Sequence, residues 1–87
     1  GWLMGLMDLA SAHIAPEGKS ATRAVNNIEF FECVQVGDLV SCYGHIIKLG
    51  TTSATVHIDV YVDKNRVACG DFVNVALDDA GRPRKIR

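Results

Sequence analysis

One acidic residue lies inside an otherwise apolar segment at the start of the chain. Residues 2–15 contain ten apolar side chains and a single carboxylate, that of Asp8. An ionised carboxylate on an apolar helix needs a polar partner, because burial without one penalises the charged form. Asp8 therefore has two interpretations: a structural acid that pairs with a base, a backbone amide or solvent, or a general base or nucleophile at the edge of an apolar cleft.

Two polar residues lie near Asp8 in the predicted helix. Ser11 follows one helical turn later, where it would position a water molecule or allow a sheet to approach closely. His13 lies on a different helix face from Asp8, so the spacing supports neither a Ser-His-Asp triad nor a dehydratase-type His-Asp pair.

Histidines further along the chain raise the question of a metal site. His45 and His57 lie on outward-facing strand positions, and with Asp59 they would form either a metal site or a cross-strand surface pair. The sequence has no HExxH motif and no EF-hand loop. We therefore favour the surface pair and expect no metal.

The hydrophobic pattern predicts the elements that position these residues. The first segment has helical periodicity and is apolar nearly all round, which predicts a helix buried on nearly every side. After Pro16-Glu17-Gly18 the period changes to two, and Val25, Ile28 and Phe30 are expected in the core. The predicted elements are a helix over about 2–15 and strands over about 20–31, 39–49, 53–63 and 66–77.

Short connections between these strands imply antiparallel pairing. The predicted fold class is therefore α+β, with one helix packed on an antiparallel sheet, in a single domain covering residues 1–87. A chain of this length buries only about 60–65% of its unfolded surface, yet 48% of its residues are hydrophobic. We therefore expect oligomerisation, with a subunit interface completing the core.

Charge and cysteine content limit the partners and the compartment. The net charge is −1, which gives no basic surface for nucleic acid or for a membrane. The first helix is too short to span a bilayer, which needs roughly 20 apolar residues, and it lacks the basic flank of a signal peptide. Three widely spaced cysteines without a CxxC pair read as free thiols, so we expect a cytoplasmic protein.

Four stretches of the chain, taken together, resemble a known family. They are GWLMGLMDLASA, VNNIEFFECVQVGDLV, CYGHIIKLGTTS and VNVALDDAGRPR. In this order they are similar to the central helix, the V-x-V-G-D strand, the K-x-G-x-T-S turn and the D-x-x-G-R-x-R ending of the hotdog-fold acyl-CoA thioesterases, in particular the small bacterial acyl-CoA hydrolases. The resemblance covers most of the chain.

The resemblance implies a fold, an assembly and an activity. The implied hotdog fold has a long central helix on an antiparallel sheet that continues across a homodimer, and family dimers commonly assemble as a trimer of dimers. The implied activity is hydrolysis of an acyl-CoA thioester to a free acid and CoA at a cleft between subunits. No cofactor is implied, because coenzyme A is part of the substrate.

The resemblance also implies roles for individual residues. The family's helix acid falls on Asp8, which activates water or attacks the thioester carbonyl directly. The backbone N–H that polarises this carbonyl falls on or just before Gly1, at a helix start whose free amides favour an oxyanion. Because the implied site lies between subunits, Asn26 and Asn27 would face Asp8 of the partner chain. Ser11, from its spacing to Asp8 and not from the resemblance, would support the site. The implied CoA-binding residues are Lys48, Gly50, Thr51, Thr52, Ser53, Arg82 and Arg84.

Departures from the family pattern favour an alternative. The family's first strand and the loop before the helix are absent from this sequence, and the loop at 63–66 is tight for such long strands. The sequence leaves open whether residues are missing before Gly1 or near 63–66. Ser11 stands where the family has Gly, and Cys33 stands where it has Pro. The alternative function is a non-catalytic hotdog module that binds an acyl thioester or a protein partner.

Overall fold

The computed structural model describes residues 2–86, which form one helix followed by four strands. The helix α1 is rich in Ala, Leu and Met, and it stops before Pro16, which cannot continue a helix. No helix within residues 2–86 is long and apolar enough to cross a membrane. The elements are α1 (Trp2–Ile14), β1 (Ser20–Phe30), β2 (Val40–Leu49), β3 (Ser53–Val62) and β4 (Asn65–Ala76).

The four strands form a single antiparallel sheet in the order β1-β4-β3-β2. The strands β2, β3 and β4 follow one another as hairpins, whereas β1 reaches the far side of the sheet and pairs with β4. The helix α1 packs on one face of this sheet and contacts every strand. This arrangement confirms the predicted α+β fold of one helix on an antiparallel sheet.

The core lies between α1 and the sheet face that it covers. In β3 the alternate residues Val56, Ile58 and Val60 are fully buried, while His57 and Asp59 between them are partly exposed on the opposite face. This alternation is the period-two pattern of a strand with one buried face. From the helix side Met7 is fully buried against this layer.

The hairpin between β3 and β4 is tighter than the sequence predicts. The four residues Asp63–Arg66 read as a turn, but in the structure only Asp63 and Lys64 are outside the strands. Val62 pairs directly with Asn65, and Asp63 takes a positive φ of 55°. Asp tolerates this left-handed conformation better than most residues, which allows the two-residue connection without an Asn-Gly pair.

The strand β1 contains a β-bulge, and one core prediction made for this strand is wrong. Asn26 pairs with Asp71 and Glu29 pairs with Cys69, so β1 advances three residues where β4 advances two. Asn27, inside the bulge, has a φ of 53°. The extra residue resets the alternation of β1. Val25 and Ile28, one on each side of the bulge, pack against the core as predicted. Phe30, also expected in the core, is 55% exposed, because it lies on an edge strand and lines an open pocket with the start of α1.

The helix is buried on one side only within a single chain. Met7 and Ser11 are fully buried, but Trp2 is 62% and Leu9 is 64% exposed. The prediction of a helix enclosed on nearly every side therefore does not hold for one chain alone. A large apolar surface of this kind is typical of a protein interface.

Candidate active site

Asp8 lies on the side of α1 that faces β1, and its carboxylate accepts a hydrogen bond from the hydroxyl of Thr22. Its side chain is half-buried and lines a pocket of about 330 Å³ together with Met4, Gly5, Thr22, Val25 and Phe72. Within residues 2–86, no Lys, Arg or His forms an ion pair with this carboxylate. The structure therefore supplies a neutral donor, and among the described residues it shows no pairing with a base, which was one form of the structural interpretation.

Three further hydrogen bonds surround Asp8. The Ser11 hydroxyl donates to the backbone carbonyl oxygen of Asp8 over 2.7 Å. The side-chain amide of Asn74 donates to the Ser11 hydroxyl over 3.2 Å, and its Oδ1 lies 3.4 Å from the Thr22 hydroxyl. We call Asp8, Ser11, Thr22 and Asn74 the inner network. It connects α1, β1 and β4 beneath the helix.

Local structure explains how these side chains meet. Ser11 follows Asp8 by three residues on α1, where a serine hydroxyl reaches back to a carbonyl of the preceding turn. Thr22 and Asn74 are direct cross-strand partners on β1 and β4. Ser11 is fully buried and Asn74 is 2% exposed, so both are enclosed by the fold and are not surface groups.

Sequence reasoning identified Asp8 and Ser11 but missed Thr22 and Asn74. The alternation of β4 contained a signal for Asn74, which occupies the same face as the buried residues Phe72 and Ala76. A polar residue at a core-facing position is unusual enough to need a partner. Thr22 gave no comparable signal, because its position opposite Asn74 depends on the strand register.

The two asparagines predicted to support the site are not brought to Asp8 within one chain. Asn26 is exposed. The Asn27 side-chain amide donates over 2.8 Å to the carboxylate of Asp71, on the sheet face opposite α1. A position of either residue against Asp8 of a partner subunit stays a prediction. The predicted oxyanion donor, Gly1, lies outside the described residues.

The predicted CoA-binding loop is brought together with the C-terminal tail. The backbone N–H of Ile86 donates to the carbonyl of Thr51 over 2.8 Å, and that of Ala76 donates to the carbonyl of Thr52 over 2.8 Å. Within the loop, the Gly50 N–H donates to the carbonyl of Ser53 over 2.8 Å. Residues 50–53 and the tail that follows β4 therefore form one backbone-bonded unit.

The basic side chains in and beside this unit differ in whether they are free to contact a ligand. Lys48 and Arg82 are exposed. The Arg84 guanidinium donates to the backbone carbonyl of Glu17, and it borders a polar pocket of about 550 Å³ between the tail and the α1–β1 loop. Arg84 thus fixes that loop, whereas Lys48 and Arg82 extend into solvent.

A second hydrogen-bonded group lies on the sheet face opposite α1, and we call it the outer row. His57 Nδ1 is 2.7 Å from Asp71 Oδ1, and His57 Nε2 is 3.1 Å from Asp59 Oδ1. Arg66 Nε donates to Asp59 Oδ1 over 2.8 Å, and Asn27 completes the row through Asp71. Within residues 2–86, no group of three or more His, Cys, Asp or Glu side chains has the geometry of a metal site.

The outer row shifts the protonation of two of its members. The hydrogen bond that His57 donates to the Asp71 carboxylate raises the pKa of His57, and burial opposes this shift only in part. The hydrogen bond from Asn27, followed by that from His57, lowers the pKa of Asp71. Both shifts favour the charged pair, so the outer row is an ion-paired surface cluster. This geometry agrees with the surface-pair interpretation of His57.

A mostly apolar pocket adjoins the Asp8 pocket at the start of α1. It has a volume of about 390 Å³ and shares Met4 with the Asp8 pocket. The rest of its lining comes from Trp2, Leu3, Phe30, Glu32, Cys33 and Val34. An apolar group that extends away from Asp8 would therefore contact the apolar lining of this second pocket.

A helix laid over one face of a four-stranded antiparallel sheet, with a carboxylate-lined pocket beneath it, is the hotdog arrangement. A hexameric hotdog fold thioesterase of Campylobacter jejuni superposes with a TM-score of 0.87 at 28% identity. The superposition covers 100% of this chain and 74% of that one. The hexameric thioesterase from Yersinia pestis superposes with a TM-score of 0.92 at 40% identity, covering 100% and 78%.

Sequence comparison identifies the family. The model of the thioesterase superfamily matches residues 1–69. An uncharacterized acyl-CoA thioester hydrolase of Buchnera aphidicola subsp. Schizaphis graminum is 40% identical, over 99% of this chain and 73% of that protein. The chain belongs to the thioesterase superfamily, which confirms the resemblance seen in its sequence.

Proposed function

We propose that the protein is an acyl-CoA thioesterase that hydrolyses the thioester of an acyl-CoA to a free acid and CoA. The observation that carries this proposal is the carboxylate of Asp8, which lines a pocket, has a hydroxyl donor and lacks a cationic partner among residues 2–86. The name of the Buchnera relative, an acyl-CoA thioester hydrolase, supports the substrate class.

Asp8 acts in one of two ways in this proposal. As a general base, its carboxylate accepts a proton from water while the water oxygen attacks the thioester carbonyl carbon. The tetrahedral intermediate then collapses, the carbon–sulfur bond breaks, and the proton passes to the departing CoA sulfur. As a nucleophile, the carboxylate oxygen attacks the same carbon and expels CoA, and water hydrolyses the resulting anhydride.

The inner network suits either role. Thr22 engages Oδ1 of Asp8, which fixes the carboxylate and leaves Oδ2 for water or for the substrate. Ser11 holds the Asp8 backbone. For the developing oxyanion we propose the backbone N–H of Gly1, because free amides at a helix start stabilise negative charge.

The two ends of the substrate would occupy different parts of the molecule. We propose that the phosphates and adenosine of CoA contact Lys48, the loop over residues 50–53 and Arg82, whose cationic side chains are exposed. Arg84 supports this surface by holding the α1–β1 loop. The acyl group would extend along the apolar pocket that shares Met4 with the Asp8 pocket.

We propose that the active unit is a homodimer, assembled further as a trimer of dimers. Two features support a partner subunit on this side: the exposed apolar side chains of α1, and the outer edge of β1, which has no strand beside it within residues 2–86. Such a partner would close the Asp8 pocket and bring Asn26 and Asn27 towards the partner's active site. The Yersinia and Campylobacter thioesterases are hexameric. Sedimentation velocity on the purified chain tests this assembly.

We place the protein in the cytoplasm. All three cysteines are free in the structure, in keeping with a reducing compartment. Fractionation of the cells that produce the protein, followed by detection with an antibody, tests this placement.

A thiol-release assay on acyl-CoAs of increasing chain length tests the activity. We expect turnover by the natural chain and a loss of at least about 100-fold in kcat for Asp8→Asn, because an essential base or nucleophile is removed. Turnover in water enriched in heavy oxygen, followed by mass analysis of the Asp8 peptide, separates the two roles. Label in the peptide indicates a nucleophile. CoA binding in calorimetry without any turnover would instead support the non-catalytic module.

A further inference from the structure

Asn74 is a buried amide in a part of β4 that is otherwise apolar. It is 2% exposed, and its neighbours Phe72, Val75 and Ala76 are buried. Burying an amide costs free energy unless its hydrogen bonds are made, and an apolar residue of similar size avoids that cost. Leucine has the same number and branching of side-chain heavy atoms as asparagine, so the shape of this space does not by itself require an amide.

The side chain of Asn74 contacts two hydroxyl groups, and each of them is bound to a different part of Asp8. Nδ2 donates to the hydroxyl of Ser11, which donates in turn to the Asp8 backbone carbonyl. Oδ1 lies 3.4 Å from the hydroxyl of Thr22, which donates to the Asp8 carboxylate. Its remaining contact is a 3.5 Å hydrogen bond to the backbone of Phe72.

The Thr22 hydroxyl has two possible acceptors but only one proton to donate. A hydroxyl carries a single proton, so Thr22 donates either to Asp8 Oδ1 or to Asn74 Oδ1 at any moment. While Asp8 is ionised, its carboxylate is the stronger acceptor. Once Asp8 takes up a proton or forms a bond to the substrate, that advantage disappears. Asn74 Oδ1 then offers Thr22 a second acceptor within reach.

We propose that Asn74 is a positioning residue of the thioesterase site, acting on Asp8 through the Thr22 hydroxyl. This proposal rests on the proposed function of Asp8. Asn74 allows the Thr22 proton to leave the Asp8 carboxylate as the charge of that carboxylate is consumed, and to return as the charge is restored.

Asn74→Leu tests the proposal without leaving a buried donor unpaired. In this variant Ser11 still donates to the Asp8 carbonyl and Thr22 still donates to the Asp8 carboxylate, so we expect the protein to fold. We expect kcat to fall about 3- to 10-fold, the equivalent of one neutral hydrogen bond, with KM unchanged. A wild-type kcat in this variant would overturn the proposal.

A double-variant cycle distinguishes this role from a purely structural one. If Asn74 acts through the Thr22 hydroxyl, Asn74→Leu causes no further loss of kcat in a Thr22→Val background. Independent losses that multiply would contradict the proposal, because they would mean that Asn74 affects turnover by another route. Ser11→Ala provides the matched control for the second contact of the amide.

A measurement that does not depend on turnover keeps this proposal separate from the proposed function. In a pH titration followed by NMR, the side-chain amide signals of Asn74 should shift in the wild-type protein and become insensitive to pH in both Asp8→Asn and Thr22→Val. Persistence of the shift in Thr22→Val would overturn the coupling. Absence of turnover with every acyl-CoA, with the NMR response intact, would reject only the proposed function.

Discussion

The inner network and the outer row lie on opposite faces of the same sheet, and they differ in how charge is balanced. In the outer row, two carboxylates are matched by His57 and Arg66. In the inner network, the carboxylate of Asp8 accepts a hydrogen bond from the neutral hydroxyl of Thr22 and forms no ion pair among the described residues. A paired carboxylate is committed to its partner, whereas one held by a neutral donor beside a pocket keeps an oxygen free for chemistry.

The contrast predicts opposite results from two equivalent substitutions. Asp8→Asn should lower kcat by at least about 100-fold, because the amide cannot accept a proton from water or attack a thioester. Asp71→Asn, on the other face, should leave kcat within about twofold of the wild-type value. Thiol release under identical conditions measures both. A loss of turnover in Asp71→Asn that matches that in Asp8→Asn would show that the two faces are not functionally distinct.

Thr22 provides the next largest expected effect. Thr22→Val keeps the shape of the side chain but removes the donor to the Asp8 carboxylate. Since a hydrogen bond to a charged group is stronger than a neutral one, we expect a loss in kcat of about 10- to 100-fold.

Thr22→Ser is the matched control, because it restores the hydroxyl without the methyl group. It should recover most of the activity lost in Thr22→Val. Equal turnover of the valine and serine variants would indicate that the shape of residue 22 matters and that its hydrogen bond does not. In that case the inner network would not set the reactivity of Asp8.

Some features of the two faces could be predicted from the sequence, and others could not. The helix, the antiparallel sheet and the buried stripe of Val56, Ile58 and Val60 follow from local periodicity. The importance of Asp8 follows from a single charge in an apolar segment. These features depend on residues close together in the chain, and for that reason they were predictable.

Thr22 and Asn74 could not be placed in the same way. They are 52 residues apart and meet through the register of β1 on β4. Pattern alone does not fix such a register where a strand contains a bulge. The bulge at Asn27 likewise turns the amide of Asn27 to Asp71, and Phe30 is exposed although it lies on the helix-facing side of the sheet. Neither outcome follows from the alternation of β1 alone.

The smallest expected effect concerns the outer row and appears in stability. The pKa of His57 is raised by Asp71, so its contribution to stability is present below the ordinary value of 6.5 and is lost as pH rises through the folded-state value. The pKa of Asp71 is lowered, so its contribution is present above 3.8 and is lost as pH falls below it. The row should therefore stabilise the fold most between these two values.

His57→Gln tests this window. The wild-type protein should melt above the variant by the largest margin between pH 4 and 6.5, and the margin should shrink as pH rises further. Because the His57 side chain is 25% exposed, solvent screening limits the difference to less than about 1 kcal/mol, or a few degrees in Tm. Exposed His13→Gln is the control and should show no such dependence. A margin independent of pH would mean that His57 contributes by packing and not by charge, which would leave the outer row without its ion-paired character.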